Sequence, residues 1–368
     1  MASRRRILHV IPTLWSGAGD AVTHLCERQS ERDDVTVVSS ALRGALADWP
    51  AYRRRLRAAG VRHVSIDTFS RTPEVLWQSV ERLRDLARTW SPDVVHTHAG
   101  VPTLTWALAG PSRVRHVAHM YSWGAGRPVW MNTMDLAGFR QADRVVCSAR
   151  SYARILRQGG VATARLAYIP WGVHVDRIDA ALADRRAAKG PCIGFVGRIE
   201  PRKGQLDLIA ALAAVRKQLP DATLALVGPE ADVDYAARCR DEVTRLGLER
   251  YVAWHGYVRD AARVLVNWQL FASLSSDEGQ GLAVQEAMAA RVPVVALHAP
   301  GLEDFVTDGR TGRVVRRRTA AVVARAIVTA LRDAEGSARM ARTADRLMRD
   351  RYGWERCAAA IDRLYRAR

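Results

Sequence analysis

The chain has 368 residues, 48% of them hydrophobic and 26% charged, with a formal net charge of +18. That length points to two domains, and the composition is too apolar for a disordered chain. No apolar run reaches the ~18–20 residues of a membrane helix. The five cysteines (Cys26, Cys147, Cys192, Cys239, Cys357) form no C-x-x-C pair, which excludes a zinc ribbon and argues against a disulfide framework.

The opening MASRRRILHVIPTLWSGAG mimics a secretory leader. Its apolar part is short and broken by His9 and Pro12, so it reads as a first buried strand and the protein as cytoplasmic. Short runs rich in Val and Ile follow at Asp34–Ser40, Val61–Asp67, Asp93–His98, Val114–Met120, Asp143–Ala149 and Arg165–Pro170. Helical patterns separate most of them, as at Ala21–Arg32 and Pro73–Trp90, and the alternation predicts βαβ units around a parallel sheet. Val173–Pro191 has few large apolar residues and is read as a linker.

The pattern then restarts. Strands are predicted at Cys192–Arg198, Ala222–Gly228, Val252–Tyr257, Gln269–Ser275 and Val292–His298. Helices are predicted at Gln205–Leu219, Tyr235–Leu246 and about Leu282–Ala290, with Ala320–Leu331, Gly336–Arg349 and Trp354–Tyr365 closing the chain. Two doubly wound α/β halves with a cleft between them are expected, with ligands at the strand C-termini.

The charge is uneven. Residues 1–189 carry 28 basic and 16 acidic groups, the remainder 28 and 22. Only Lys189, Lys203 and Lys217 are lysine; the other basic residues are arginine, a bias that reads as genomic base composition. A strongly basic chain suits nucleic acid or an anionic membrane, but no nucleic-acid motif is present. Arg53, Arg54, Arg55 and Arg57, next to Trp49 and Tyr52, form a basic aromatic stretch. It reads first as a solvated helix face, and second as a site of peripheral contact with an anionic membrane or acidic acceptor.

Two segments carry chemistry. In GFVGRIEPRKG (Gly194–Gly204) a strand ends at Val196 and a helix begins near Gln205. The loop between them offers backbone N–H groups, Arg198 and Lys203 to an anion at a helix N-terminus. Its residue order is not that of a Walker P-loop. In SSDEGQGLAVQEAMAARVPVVA (Ser275–Ala296), Glu278 and Glu286 lie eight residues apart, with Gly279 and Gly281 where a helix begins. Glycines there let a ligand approach the backbone, and carboxylates suit a hydroxyl-rich ligand. The Asp232-Val-Asp234 pair is read as a surface turn rather than a metal site. Eight of the eleven tryptophans precede residue 172, and core filling is the first reading for each. No Ser-His-Asp or Cys-His set is visible.

Together, VGR…KG and the later E-x7-E resemble family 4 of the retaining glycosyltransferases, with the GT-B fold of two Rossmann-like doubly wound α/β domains facing a central cleft. LALVG (Leu224–Gly228), HGYV (His255–Val258), PVVA (Pro293–Ala296) and GLEDFVTDGRTGRVV (Gly301–Val315) fit the same family. So do SGAGDAVTHL (Ser16–Leu25), SPDVVHTH, ADRVVCSA and IPWGVHVD (Ile169–Asp176). The resemblance is strong over 192–315 and weaker before 120.

The resemblance implies an acceptor-binding domain over 1–175, a nucleotide-sugar-binding domain over 176–350, and a terminal helix over 351–368 that returns to the first domain. Arg198 and Lys203 would pair with the donor diphosphate, Glu286 would hold the donor ribose and Glu278 the sugar hydroxyls. Backbone around Gly279, Gln280, Gly281 and Leu282 would touch sugar and phosphate, and Val258 would grip the base. His119 falls near the family's active-site histidine, with His96, His98 and His116 as nearby alternatives. Gly17 and Gly19, in a glycine-rich loop, would leave room for donor and acceptor, and Trp15, Asp20 and Trp123 are the acceptor candidates. Gln280 stands where the family has an aromatic or aliphatic residue, and Asp20 where glutamate is more common.

The implied reaction is glycosyl transfer with retention from a UDP-sugar, or second a GDP-sugar, to a small-molecule, glycan or lipid-linked acceptor. No cofactor and no metal are expected, because Arg198 and Lys203 can neutralise the departing diphosphate. The alternatives are a GT-B sugar-nucleotide epimerase and a degenerate GT-B protein that binds without turnover.

Overall fold

The computed structural model describes residues 4–41, 49–110, 113–121, 123, 127–186 and 190–366. Lys189 lies outside the described residues. The chain divides into two compact units, one of residues 1–171 with 355–368 and one of residues 172–354.

The first unit runs β1 (Arg6–Ile11), α1 (Ser16–Ser30), β2 (Asp34–Ser39), α2 (Trp49–Ala58), β3 (Arg62–Ser65), α3 (Pro73–Trp90) and β4 (Val94–His98). It continues with α4 (Gly100–Ala109), β5 (Arg115–Met120), α5 (Val129–Gln141), β6 (Arg144–Cys147), α6 (Arg150–Gln158) and β7 (Leu166–Tyr168). Its seven strands are ordered β3-β2-β1-β4-β5-β6-β7, and every pairing is parallel.

The second unit holds α7 (Val175–Ala183), β8 (Cys192–Val196), α8 (Gln205–Arg216), β9 (Thr223–Val227), α9 (Val233–Arg245), β10 (Val252–Gly256) and α10 (Ala262–Leu265). It closes with β11 (Leu270–Ser273), α11 (Leu282–Ala289), β12 (Val294–Leu297), β13 (Arg313–Val315), α12 (Ala320–Arg332) and α13 (Ala334–Arg351). Its sheet is ordered β10-β9-β8-β11-β12-β13 and is also parallel throughout. The last helix, α14 (Trp354–Arg366), belongs with the first unit from Glu355 onward.

Successive strand residues point to opposite faces, and the cores follow that period. In the second unit Leu224 and Leu226 of β9 pack with α8, α9 and α12 on one face. Ala225 and Val227 of the same strand pack with α11 and α13 on the other. In the first unit Leu8, Val10 and Val95 pack against Val80 and Leu83 of α3 and Trp106 of α4. Each such aliphatic side chain stabilises by about 1.5–3 kcal/mol when fully buried. Helix α3 shows the local logic: Pro73 opens it, where a missing N–H costs nothing. Leu76, Val80, Leu83 and Ala87 line its buried side, and Ser91, left-handed before Pro92, ends it.

Several expectations change. The segment read as a linker contains α7, whose Ile178 and Ala181 are buried; an alanine-rich helix carries too few large side chains to show its stripe. The unit boundary falls at 171/172 rather than after 175. Gly17 and Gly19 lie in the first turns of α1, not in a loop, and the Gly19 N–H donates to the Trp15 carbonyl at 3.0 Å. Asp232 caps α9, accepting from the Tyr235 N–H at 2.9 Å, so the Asp-Val-Asp motif is a helix start. None of the five cysteines is in a disulfide. Among the described residues no helix is long and apolar enough to cross a membrane.

Candidate active site

In both sheets the strand order reverses between the first and fourth strand of the unit, which in open parallel sheets is where ligands bind. In the second unit this point lies between β8 and β11. The loops leaving these two strands carry Arg198 to Lys203 and Ser275 to Gly281, so the two chemical segments of the sequence are brought side by side.

Their central contact is Lys203 Nζ to Glu278 Oε1 at 2.5 Å, with side chains 11% and 14% exposed. Burial alone would raise the Glu278 carboxyl. The charge of Lys203 and its hydrogen bond outweigh that and hold the group below the usual carboxylate range. Arg198 and Arg202 both reach Glu200 Oε1, at 3.1 and 2.8 Å. Arg202 also ties the two loops together: its guanidinium donates to the Asp277 carbonyl and its carbonyl accepts from the Ser276 N–H. Arg202 and Glu200 lie between Arg198 and Lys203 in the sequence, and no pattern there marks Arg202 as the residue that joins the loops or Glu200 as its partner.

Beneath the loops lies a buried amide layer. Gln205, the first residue of α8, donates to the Arg198 carbonyl at 2.8 Å, which fixes the backbone that presents Arg198. Gln280 is buried and its amide donates to Gln285 Oε1 at 2.9 Å. A polar residue at 280 is therefore matched by a polar residue on α11, a pairing visible only once the loop and helix are folded. Gly281 caps α11 with φ +68°, and a Cβ there would meet Leu302 Cδ2 at 2.3 Å. Gly301 has φ +86°, and its Cβ would fall 2.0 Å from the Glu278 carbonyl oxygen. These positions need glycine. Glu286 lies half-buried on α11, after Leu282. Val258, half-buried, follows β10.

In the first unit His119 sits near the end of β5. It is fully buried, and neither ring nitrogen has a hydrogen-bond partner among the described residues. Its ring stacks on Trp171 at 4.4 Å between centroids. Burial pushes its pKa down to about 3, so the imidazole is neutral. Asp20 pairs with Arg55 at 2.5 Å, and Arg55 also holds Glu27 at 2.7 Å. Arg55 thus faces inward, while Arg53, Arg54 and Arg57 are exposed on α2. Trp15 precedes α1 and is half-buried, as is Trp123, whose carbonyl accepts from Arg127 at 3.4 Å.

This set offers three cations and half-buried carboxylates around the N-termini of α8 and α11, which suits an anion carrying hydroxyl groups. Residues 15–177 match the family model described as Glycosyltransferase Family 4, and residues 181–347 match Glycosyl transferases group 1. The protein belongs to glycosyltransferase family 4, with the GT-B fold. A glycogen synthase of Mycobacterium tuberculosis is 29% identical over 285 residues, covering 72% of this chain and 66% of that protein. The chain thus spans just under two thirds of that relative. A GDP-mannose-dependent alpha-(1-6)-phosphatidylinositol monomannoside mannosyltransferase of the same organism is 29% identical over 283 residues, 70% of this chain and 72% of that one. Among solved structures, Anabaena HepE in complex with UDP-glucose superposes with a TM-score of 0.83 at 22% identity, covering 97% of this chain and 98% of that one.

Proposed function

We propose that the protein transfers a glycosyl group, with retention, from a nucleoside-diphosphate sugar to an acceptor hydroxyl. The observation that carries this is the half-buried Lys203–Glu278 pair, 2.5 Å apart, at the β8/β11 reversal point. It sets a cation for a leaving diphosphate beside a carboxylate for sugar hydroxyls. Arg198 and Lys203 stabilise the negative charge that develops as the bond from the anomeric carbon to the diphosphate oxygen breaks. The acceptor oxygen bonds to that carbon on the same face, and its proton passes to the departing phosphate oxygen. No covalent enzyme intermediate forms, and the transfer draws on no metal. Glu286 holds the ribose diol, and the Gly279–Leu282 backbone contacts phosphate and sugar. His119, neutral and with neither nitrogen partnered among the described residues, is assigned to hydrogen bonds with the sugar.

UDP is the favoured nucleotide, supported by the UDP-glucose complex of the similar HepE fold. GDP is second, supported by the GDP-mannose-dependent relative. The acceptor is a small molecule, a glycan or a lipid-linked sugar. The test is a thermal-shift panel with UDP, GDP, ADP, TDP and CDP in metal-free buffer. A nucleotide at 100 times its Kd should stabilise by about 2.7 kcal/mol, and Lys203→Ala should cut that shift to about half or less. No shift with any of the five would overturn the assignment of a donor site.

A further inference from the structure

The first sheet carries a histidine cluster that the transfer reaction does not use. The register sets His9 of β1 beside His96 of β4, and the two-residue strand period puts His98 on the same face. The face is the one opposite Leu8, Val10 and Val95. All three histidines are fully buried. One ring nitrogen of each lies within 4.8 Å of one from each of the others.

The outer nitrogens are held by oxygens from three different elements. His9 Nε2 lies 2.7 Å from Gln29 Oε1 of α1. His96 Nδ1 lies 2.7 Å from the Tyr365 hydroxyl of α14. His98 Nδ1 contacts the Tyr121 hydroxyl, just after β5. That leaves His9 Nδ1, His98 Nε2 and His96 Nε2. The first two face each other at 2.9 Å, and His96 Nε2 has no partner among the described residues. A buried polar atom without a partner is costly.

We propose that His9, His96 and His98 form a divalent transition-metal site, with Zn²⁺ as the fitting ion, that cross-links β1 to β4. Three neutral imidazoles suit zinc and its neighbours, whereas calcium and magnesium take oxygen ligands. Metal-bound histidines characteristically tie their second nitrogen to an oxygen, which fixes the ring; here all three do. Nitrogens at about 2.0–2.1 Å from a tetrahedral zinc are about 3.3 Å apart, so the His9–His98 pair opens by a few tenths of an ångström on binding. Water takes the fourth position.

The experiment uses the full chain, produced without a polyhistidine tag in zinc-supplemented medium. Bound metal is measured by elemental analysis and native mass spectrometry, and affinity by competition with a chromogenic chelator. The expected result is one Zn²⁺ per chain, lost in His96→Gln and retained in His116→Gln, a buried histidine outside the cluster. Because His96→Gln removes a buried ring and can fail to fold, Tyr365→Phe is the second variant. Losing the oxygen that orients His96 should weaken zinc binding 10–100-fold. Absence of zinc from the folded wild-type chain would overturn the proposal. So would unchanged zinc affinity in Tyr365→Phe.

Discussion

Lys203 and Glu278 are separated by 75 residues in the chain and by 2.5 Å in the fold. They stand on loops from two adjacent strands, and each is the other's main source of charge compensation. Each is therefore both a ligand-binding group and a structural one, and a single substitution reads on both roles.

Removing one partner of a buried ion pair leaves the other uncompensated, a loss of about 3–5 kcal/mol in well-buried cases. Lys203→Ala should destabilise the protein toward that range and weaken UDP binding at least tenfold. Adding Glu278→Gln removes the stranded charge and should recover part of the stability but none of the turnover. Denaturant melts and nucleotide titrations of the two variants check this. Equal stability of the single and double variants would refute the coupling.

Gly301 tests how tightly the Glu278 backbone is held. Gly301→Ala sets a Cβ 2.0 Å from the Glu278 carbonyl oxygen at φ +86°, so the loop must move. Turnover should fall at least tenfold. Gly309 also has positive φ, at +70°, but nothing lies within 4 Å of its Cβ position. Gly309→Ala should cost only about 1–2 kcal/mol of conformational strain with turnover unchanged. Matching losses of turnover in both variants would show that strain rather than displacement is responsible.

Arg202 links the two loops through the Asp277 carbonyl and the Ser276 N–H. Arg202→Ala should raise the donor KM more than it lowers kcat, because it loosens the position of Glu278 without removing it. Arg202→Lys, a point charge without the planar fork, should restore little. Steady-state kinetics at saturating acceptor decide this.

Burial pushes His116 down to about 4 despite the nearby Asp143 carboxylate, and its Nε2 lies 2.9 Å from Thr97 Oγ1. Below pH 6.5 the unfolded chain takes up a proton there that the folded chain refuses until about pH 4. Stability contributed by this group is therefore present above pH 6.5 and lost as pH falls toward 4, by about 2–3 kcal/mol at pH 4.5. Denaturant melts at pH 7.5 and 4.5 should show a smaller drop in His116→Gln than in the wild type. An equal drop would assign the acid sensitivity elsewhere.

The alternation of Val- and Ile-rich runs with helical patterns is enough to read the first parallel sheet and five strands of the second, because a strand covered on both faces is a short apolar run; β13, three residues long and opened by Arg313, carries no such run. The two loops of the second unit were legible for a related reason: Arg198, Lys203, Glu278 and Glu286 sit in patterned motifs next to strand ends. What the sequence hid depends on register. His9, His96 and His98 come together only when β1 pairs with β4 with His9 opposite His96, and nothing local announces that offset. Helix α7 was hidden by its small side chains. The start of α1 was hidden by Gly17 and Gly19, which suggested a loop although the backbone there is helical.

The first unit is not continuous in sequence: the chain leaves it at Trp171 and rejoins it at Glu355. On a ribosome adding ~5–20 residues per second, everything between takes on the order of ten to forty seconds to emerge. Through that interval Arg5 lacks Asp362, Arg28 lacks Glu355 and His96 lacks the Tyr365 hydroxyl. The first unit thus begins before the second and is completed after it. A nascent chain halted at Trp354 would carry a complete second unit and a first sheet still without α14, the form that chaperones and proteases would meet.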